Sequence, residues 1–157
     1  MNKTKHICDF LKNNHLLTLC TSANSDLWCA SCYYYFDQKK MSLFIMTNKD
    51  SHHSQLMIMN KNIAGTISPQ PKNIIDIKGV QFKGKIEELT NKDAEIANTI
   101  YYNKFPEAKF ISAPIWEIKL TMLKMTDNSL GFGKKLFCCH KLRYSCSINI
   151  QPNTGKY

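Results

Sequence analysis

Apolar and polar positions alternate through the first third of the chain. Residues 16–20, 27–36 and 41–47 read as strands with a period near two, and the links Ser22-Ala23-Asn24-Ser25 and Asp37-Gln38-Lys39-Lys40 are short and polar, as hairpins require. The pattern predicts an antiparallel meander. Ahead of it, Thr4 reads as a cap and Ile7, Phe10 and Leu11 recur at helical spacing, so a helix is expected to end near Asn13-Asn14. Residues 51–59 carry Leu56 and Met59 three apart and predict a second helix. Two further strands, 62–68 and 74–89, are separated by the turn residues Pro69-Gln70-Pro71. Gly79 and Gly84 inside the longer one predict the bends or bulges that curl a sheet. Thr90-Asn91-Lys92-Asp93 is a variant capping box that opens a third helix through Ala94, Ile96, Ala97 and Ile100, stopped by Pro106. A last strand spans 115–125, and the run 136–140 is a candidate extension of it. Six strands with flanking helices predict an α+β, mainly β, small closed barrel.

A chain of 157 residues with 43% apolar content is enough for one core. Residues 1–140 are expected to form a single domain, and 141–157 a loosely ordered C-terminal tail. No stretch approaches the roughly 18 to 20 apolar residues of a membrane span, and the first nine residues lack the apolar core of a secretory signal. A cytoplasmic protein with no membrane partner is expected. The formal charge of +9 raises the question of nucleic acid, which a basic surface attracts without specificity. All the basic residues except Arg143 are Lys, so the bidentate contacts of base readout are nearly absent and a solvated lysine-rich surface is the reading. Seven cysteines cannot all pair within the chain, and several sit in apolar runs, so free thiols are expected. Cys29 and Cys32 have metal-like spacing, but residues three apart on a strand face opposite ways; Cys138, Cys139 and His140 are adjacent and poor joint ligands. No metal site is expected.

Candidate chemistry concentrates where a β-run ends and a helix begins, over Leu43-Phe44-Ile45-Met46-Thr47-Asn48-Lys49-Asp50-Ser51-His52-His53. Thr47 and Ser51 offer hydroxyl donors, the helix start offers free N–H groups, and His52 and His53 add charge-assisted donors. This is an anion cradle. The competing reading is that Ser51 or Asp50 caps the first turn and both histidines are solvated.

Five blocks carry a family likeness: Leu27-Trp28-Cys29-Ala30, Gly79-Val80-Gln81-Phe82-Lys83-Gly84, Phe105-Pro106, Ser112-Ala113-Pro114-Ile115-Trp116-Glu117-Ile118 and Thr126-Asp127-Asn128-Ser129-Leu130-Gly131-Phe132-Gly133-Lys134-Lys135. Through them, over residues 15–135, the chain resembles the pyridoxamine 5′-phosphate oxidase-like, FMN-binding split-barrel superfamily, and within it the uncharacterised bacterial YhbP-like family. The resemblance implies a six-stranded antiparallel split β-barrel, bound FMN, and a homodimer with cofactor sites at its interface. It implies that Thr47, Ser51, His52 and His53 hold the phosphate, the histidines standing where the oxidases carry an Arg-Lys pair. Strand 29–34 would pass beside the flavin ring, with Ser31 offering a hydrogen bond. Gln81 and Lys83, two apart on one strand face, would reach ring or phosphate, and Trp116 and Lys134 would approach a flavin held mainly by the partner chain. The function implied is a flavin-dependent oxidoreductase acting on an unknown small molecule, the isoalloxazine supplying the redox chemistry. The alternative is a split-barrel protein that binds flavin or haem without turnover.

Three departures limit the analogy. Histidines in place of Arg-Lys weaken the fixed positive charge, Gly79 falls where the oxidases place a ring-contacting Gln, and the oxidases' C-terminal Arg-Leu motif is absent. True pyridoxamine phosphate oxidase activity is not expected. Plain packing also accounts for several of the same residues. Trp28 and Trp116 suit core or interface, Tyr33, Tyr34 and Tyr35 suit the barrel and its outer face, Gln81 and Lys83 suit an outward polar face, and Asp127 with Lys134 reads as a surface ion pair.

Overall fold

The computed structural model describes residues 2–139; the expected tail and His140 lie outside the described residues. In order, its elements are α1 (Lys3–Asn13), β1 (Leu16–Ala23), β2 (Asp26–Asp37), β3 (Ser42–Met46), α2 (His52–Met59), β4 (Asn62–Ile67), β5 (Lys78–Glu88), α3 (Asn91–Lys104), β6 (Ile115–Asp127) and β7 (Lys135–Cys139). The strands are antiparallel, in the order β3-β2-β1-β4-β5-β6-β7, and β3 also pairs with β6. That extra pairing closes six strands into a ring. The fold is therefore α+β, mainly β, as the alternation pattern predicts.

Length explains how β6 serves three neighbours. Its first part, around Ile118, lies between Leu43 of β3 and Ile86 of β5; beyond the end of β3, the edge from Met122 to Thr126 is taken by β7. β7 is thus a separate seventh strand outside the ring, where the sequence suggested only an extension. The register of β5 against β6 shifts between Lys83 and Gly84, the bulge expected at a strand glycine. A Cβ on Gly84 would stand 2.7 Å from the Lys119 carbonyl oxygen, so only glycine lets the two backbones approach this closely.

Inward residues of every strand build the main core, among them Leu17, Leu19, Tyr34, Leu43, Ile67, Phe82, Ile118 and Met125. α1 closes the barrel with Ile7, Cys8, Phe10 and Leu11, and the buried Tyr34 hydroxyl donates to the Leu11 carbonyl at 2.8 Å. Burying those apolar side chains contributes about 2 kcal/mol each. A second cluster, with Tyr35, Phe44, Ala97, Tyr101, Ala108 and Ile115, packs α3 onto the outside of β2, β3 and β6.

Four local expectations change. Thr90 stands at the N-cap of α3, but its side chain caps no amide, so the expected capping box does not form. Asn2, not Thr4, caps α1, because its side chain reaches the Lys5 amide at 3.1 Å. Residues 74–76 form a short 3-10 turn rather than the start of β5. Asp127 is wholly buried instead of forming a surface pair with Lys134. Its carboxylate meets His6 at 2.8 Å, Lys78 at 3.0 Å and the Ser129 hydroxyl at 2.6 Å, while its amide donates to the Lys134 carbonyl. Burial opposes its ionisation, but the hydrogen bonds from Ser129, His6 and Lys78 outweigh that and hold the carboxyl well below the usual range.

Candidate anion cradle at the start of α2

Thr47 follows β3 at the point where its backbone leaves the sheet, its amide donating to the Pro114 carbonyl and its own carbonyl accepting from the Trp116 indole N–H at 3.1 Å. Trp116 is only 3% exposed, so within this chain the ring is a support beneath Thr47, not an open stacking surface. From that support the chain turns through Asn48-Lys49-Asp50 into α2. Ser51 is the N-cap residue, yet its side chain caps no amide; its hydroxyl donates to the Asn48 carbonyl at 2.8 Å. The first-turn N–H groups are therefore not claimed by the cap side chain. This weighs against the reading of Ser51 as a simple cap.

Three of the expected residues converge. His53 Nε2 lies 2.7 Å from Thr47 Oγ1 and 3.2 Å from Ser51 Oγ, and the two hydroxyls are 3.4 Å apart. Ser54, fully buried, joins them, its hydroxyl 2.7 Å from that of Ser51. Sequence reasoning missed Ser54, although its position one turn-step after Ser51 put it on the same helix face. Burial, with a smaller contribution from the charge of His52, lowers the His53 imidazole from its ordinary 6.5. At neutral pH it is an uncharged donor or acceptor beside three hydroxyls.

His52 does not join this cluster. It turns to the β1–β2 hairpin, pairs with Asp26 at 2.9 Å and sets its ring edge-on to Trp28, with centroids 5.1 Å apart. Lys134 is exposed on the turn before β7. Ser31, Gln81 and Lys83 share the outward face of the sheet. Pairing places Ser31, Thr18, Thr66, Gln81 and Lys124 in one cross-strand row, and Cys29, Cys20, Ala64, Lys83 and Met122 in the next. Ser31 and Gln81 are three strand spacings apart, roughly 14 Å, so only an elongated ligand would touch both. A shallow groove of about 310 Å³ runs over this face between Cys20, Thr66, Gln81 and Lys124. Among the described residues, no group of three or more His, Cys, Asp or Glu side chains is gathered as a metal would need.

A ring of six antiparallel strands, capped by α1 and carrying a hydroxyl and imidazole cluster at its rim, has the architecture of the pyridoxamine 5′-phosphate oxidase-like split barrels. The chain belongs to the UPF0306 family: it is 48% identical over 127 residues to a UPF0306 protein of Yersinia pestis, covering 81% of this chain and 86% of that protein. A UPF0306 protein of Yersinia enterocolitica is 47% identical over 131 residues, 83% of this chain and 89% of the relative. No protein-family model matches. Solved structures of low identity share the fold. A haem-binding protein of Mycobacterium smegmatis matches with a TM-score of 0.71 at 13% identity, over 87% of this chain and 56% of that one. An FAD-binding protein of Mesorhizobium loti matches at 0.63 and 12% identity, over 76% and 90%. A protein described as a candidate pyridoxamine 5′-phosphate oxidase of Listeria innocua matches at 0.64 and 11%, over 78% and 96%. No helix among the described residues is long and apolar enough to cross a membrane.

Proposed function

We propose that the protein binds FMN by its phosphate at the start of α2 and uses it to oxidise or reduce a small molecule. The observation that carries this reading is the convergence of Thr47, Ser51 and His53 beside first-turn amides that the cap side chain leaves unclaimed. Its donors suit a phosphate monoester better than an uncharged ring. The ring would lie along the outward face of β2, with Ser31 beside it and Gln81 and Lys83 further across, and a second copy of the chain would cover it and bring Lys134. The protein supplies binding and orientation; bound flavin would supply the electron transfer. The finer likeness to the YhbP-like family belongs to the same proposal, as does a single domain over residues 1–140.

Calorimetry with FMN and riboflavin tests the cradle. FMN is expected to bind at least tenfold more tightly, and equal affinities would reduce Thr47 and Ser51 to helix-start residues. A haem-binding protein without turnover is the second reading, favoured by the fold match to the Mycobacterium smegmatis protein. Absorbance separates the two: a flavin band bleached by NAD(P)H supports the oxidoreductase, whereas a Soret band on adding hemin supports the other.

A further inference from the structure

Two thiols meet on the outward face of the β1–β2 hairpin. Cys20 and Cys29 are direct cross-strand partners, and their Sγ atoms are 3.3 Å apart. The hairpin turns through Asn24 and Ser25, both with positive φ, so its register is pinned by a two-residue loop. At its other end the Tyr34 amide donates to the His15 carbonyl, which marks 15/34 as a hydrogen-bonded pair. Antiparallel pairs alternate, so five steps on, 20/29 is a non-hydrogen-bonded pair. Such pairs hold their Cα atoms about 4.5 Å apart, within the range a disulfide spans. Cys29 is exposed and Cys20 half-buried, and a hollow of about 270 Å³ lined by Cys20, Thr21, Leu27, Trp28 and Cys29 opens beside them.

From this geometry we infer that Cys20 and Cys29 form a thiol–disulfide exchange site that reacts with low-molecular-weight disulfides such as oxidised glutathione. The exposed Cys29 reacts first. Its thiolate attacks one sulfur of the disulfide, forming a mixed disulfide and releasing one thiol. The Cys20 sulfur, already in contact, then attacks Cys29, closing the cross-strand bond and releasing the second thiol. The two cysteines lose two electrons and two protons; the small disulfide gains both and leaves as two thiols. Burial, and then the contact with Cys29, pushes the Cys20 thiol up to about 11. That makes Cys20 a poor first nucleophile, whereas its 3.3 Å contact with Cys29 favours the second, intramolecular step. The exchange itself draws no electrons from a cofactor.

The test uses the full chain, equilibrated in glutathione buffers of rising oxidised fraction, acid-quenched, alkylated and mapped by mass spectrometry. The expected result is loss of both alkylatable thiols together and a linked Cys20–Cys29 peptide pair that dithiothreitol releases. Cys20→Ser is expected to stop at a stable mixed disulfide on position 29, and Cys29→Ser to leave Cys20 unreacted under the same conditions. A lasting mixed disulfide at Cys29 in the unaltered chain, or no linkage at any buffer ratio, would overturn the proposal.

Discussion

One step along an α-helix swings a side chain by about 100°, and at the start of α2 that step separates two histidines with different tasks. His53 faces Thr47 and Ser51; His52 faces Asp26. In the proposed cradle, His53→Ala is therefore expected to weaken FMN binding about tenfold, and His52→Ala to leave it within twofold. Calorimetry on both variants checks this, and equal losses would return the site to a diffuse charge effect. The pH dependence follows from the lowered imidazole of His53. It gains its proton only below its ordinary 6.5, so the affinity gap between the unaltered chain and His53→Ala should widen as pH falls below that value and stay flat from 7 to 8. The phosphate's second ionisation, near 6, works the opposite way, which is why the variant must be measured in the same buffers. Asp127 makes a second prediction at this scale. Its native carboxyl lies below the unfolded value, so the stability it contributes is complete above about pH 4 and is lost as pH falls through the native range. Asp127→Asn is expected to cost about 3 kcal/mol at neutral pH, read from urea unfolding, and the gap should narrow in acid.

Individual elements show where the sequence was informative. Hairpin links with polar residues fixed β1 to β3 to within a few residues, and Gly84 announced its bulge, whereas Gly79, read the same way, pairs in regular register with Thr126. A methyl on Gly84 would press on the Lys119 carbonyl, so Gly84→Ala is expected to destabilise by about 2 kcal/mol in thermal or urea unfolding, while Gly133→Ala, whose added carbon meets nothing within 4 Å, should lose only what its positive φ costs. The convergence of Thr47, Ser51 and His53 was legible for a local reason too: hydroxyls and imidazoles were clustered at a strand-to-helix junction. What local pattern could not supply was direction and partner. Nothing around residue 116 says that its indole will turn inward to hold the Thr47 carbonyl, and nothing around Asp127 reveals that His6, 121 positions earlier, will reach it. The β7 strand was half legible, since a five-residue apolar run looks alike whether it prolongs a strand or begins one. Cys20 and Cys29 were hidden because the CxxC spacing drew attention to Cys29 and Cys32, whereas the contact runs across the turn.

For the molecule as a whole, the outward sheet face bears on assembly. Leu27 and Tyr33 are exposed on the outward face of β2 and Phe137 on β7, while Phe110 and Ile111 are exposed just after α3. A second copy would cover part of this surface, in keeping with the proposed composite cofactor site. Light scattering at micromolar concentration should give twice the 18.1 kDa chain mass; a monomer with and without FMN would remove that site model. Ring closure has a consequence for the order of events when the chain is made. Ile45 finds its barrel partner in Trp116, about seventy positions later, and until β6 is available both β3 and β5 present bare edges. Loop-closure entropy must be overcome before that pairing gives anything back, so folding should be slow for a chain of this size. While the ribosome is still adding residues beyond α3, the nascent chain is an open sheet with sticky borders, and it is in that interval that misassembly with a neighbouring chain would begin.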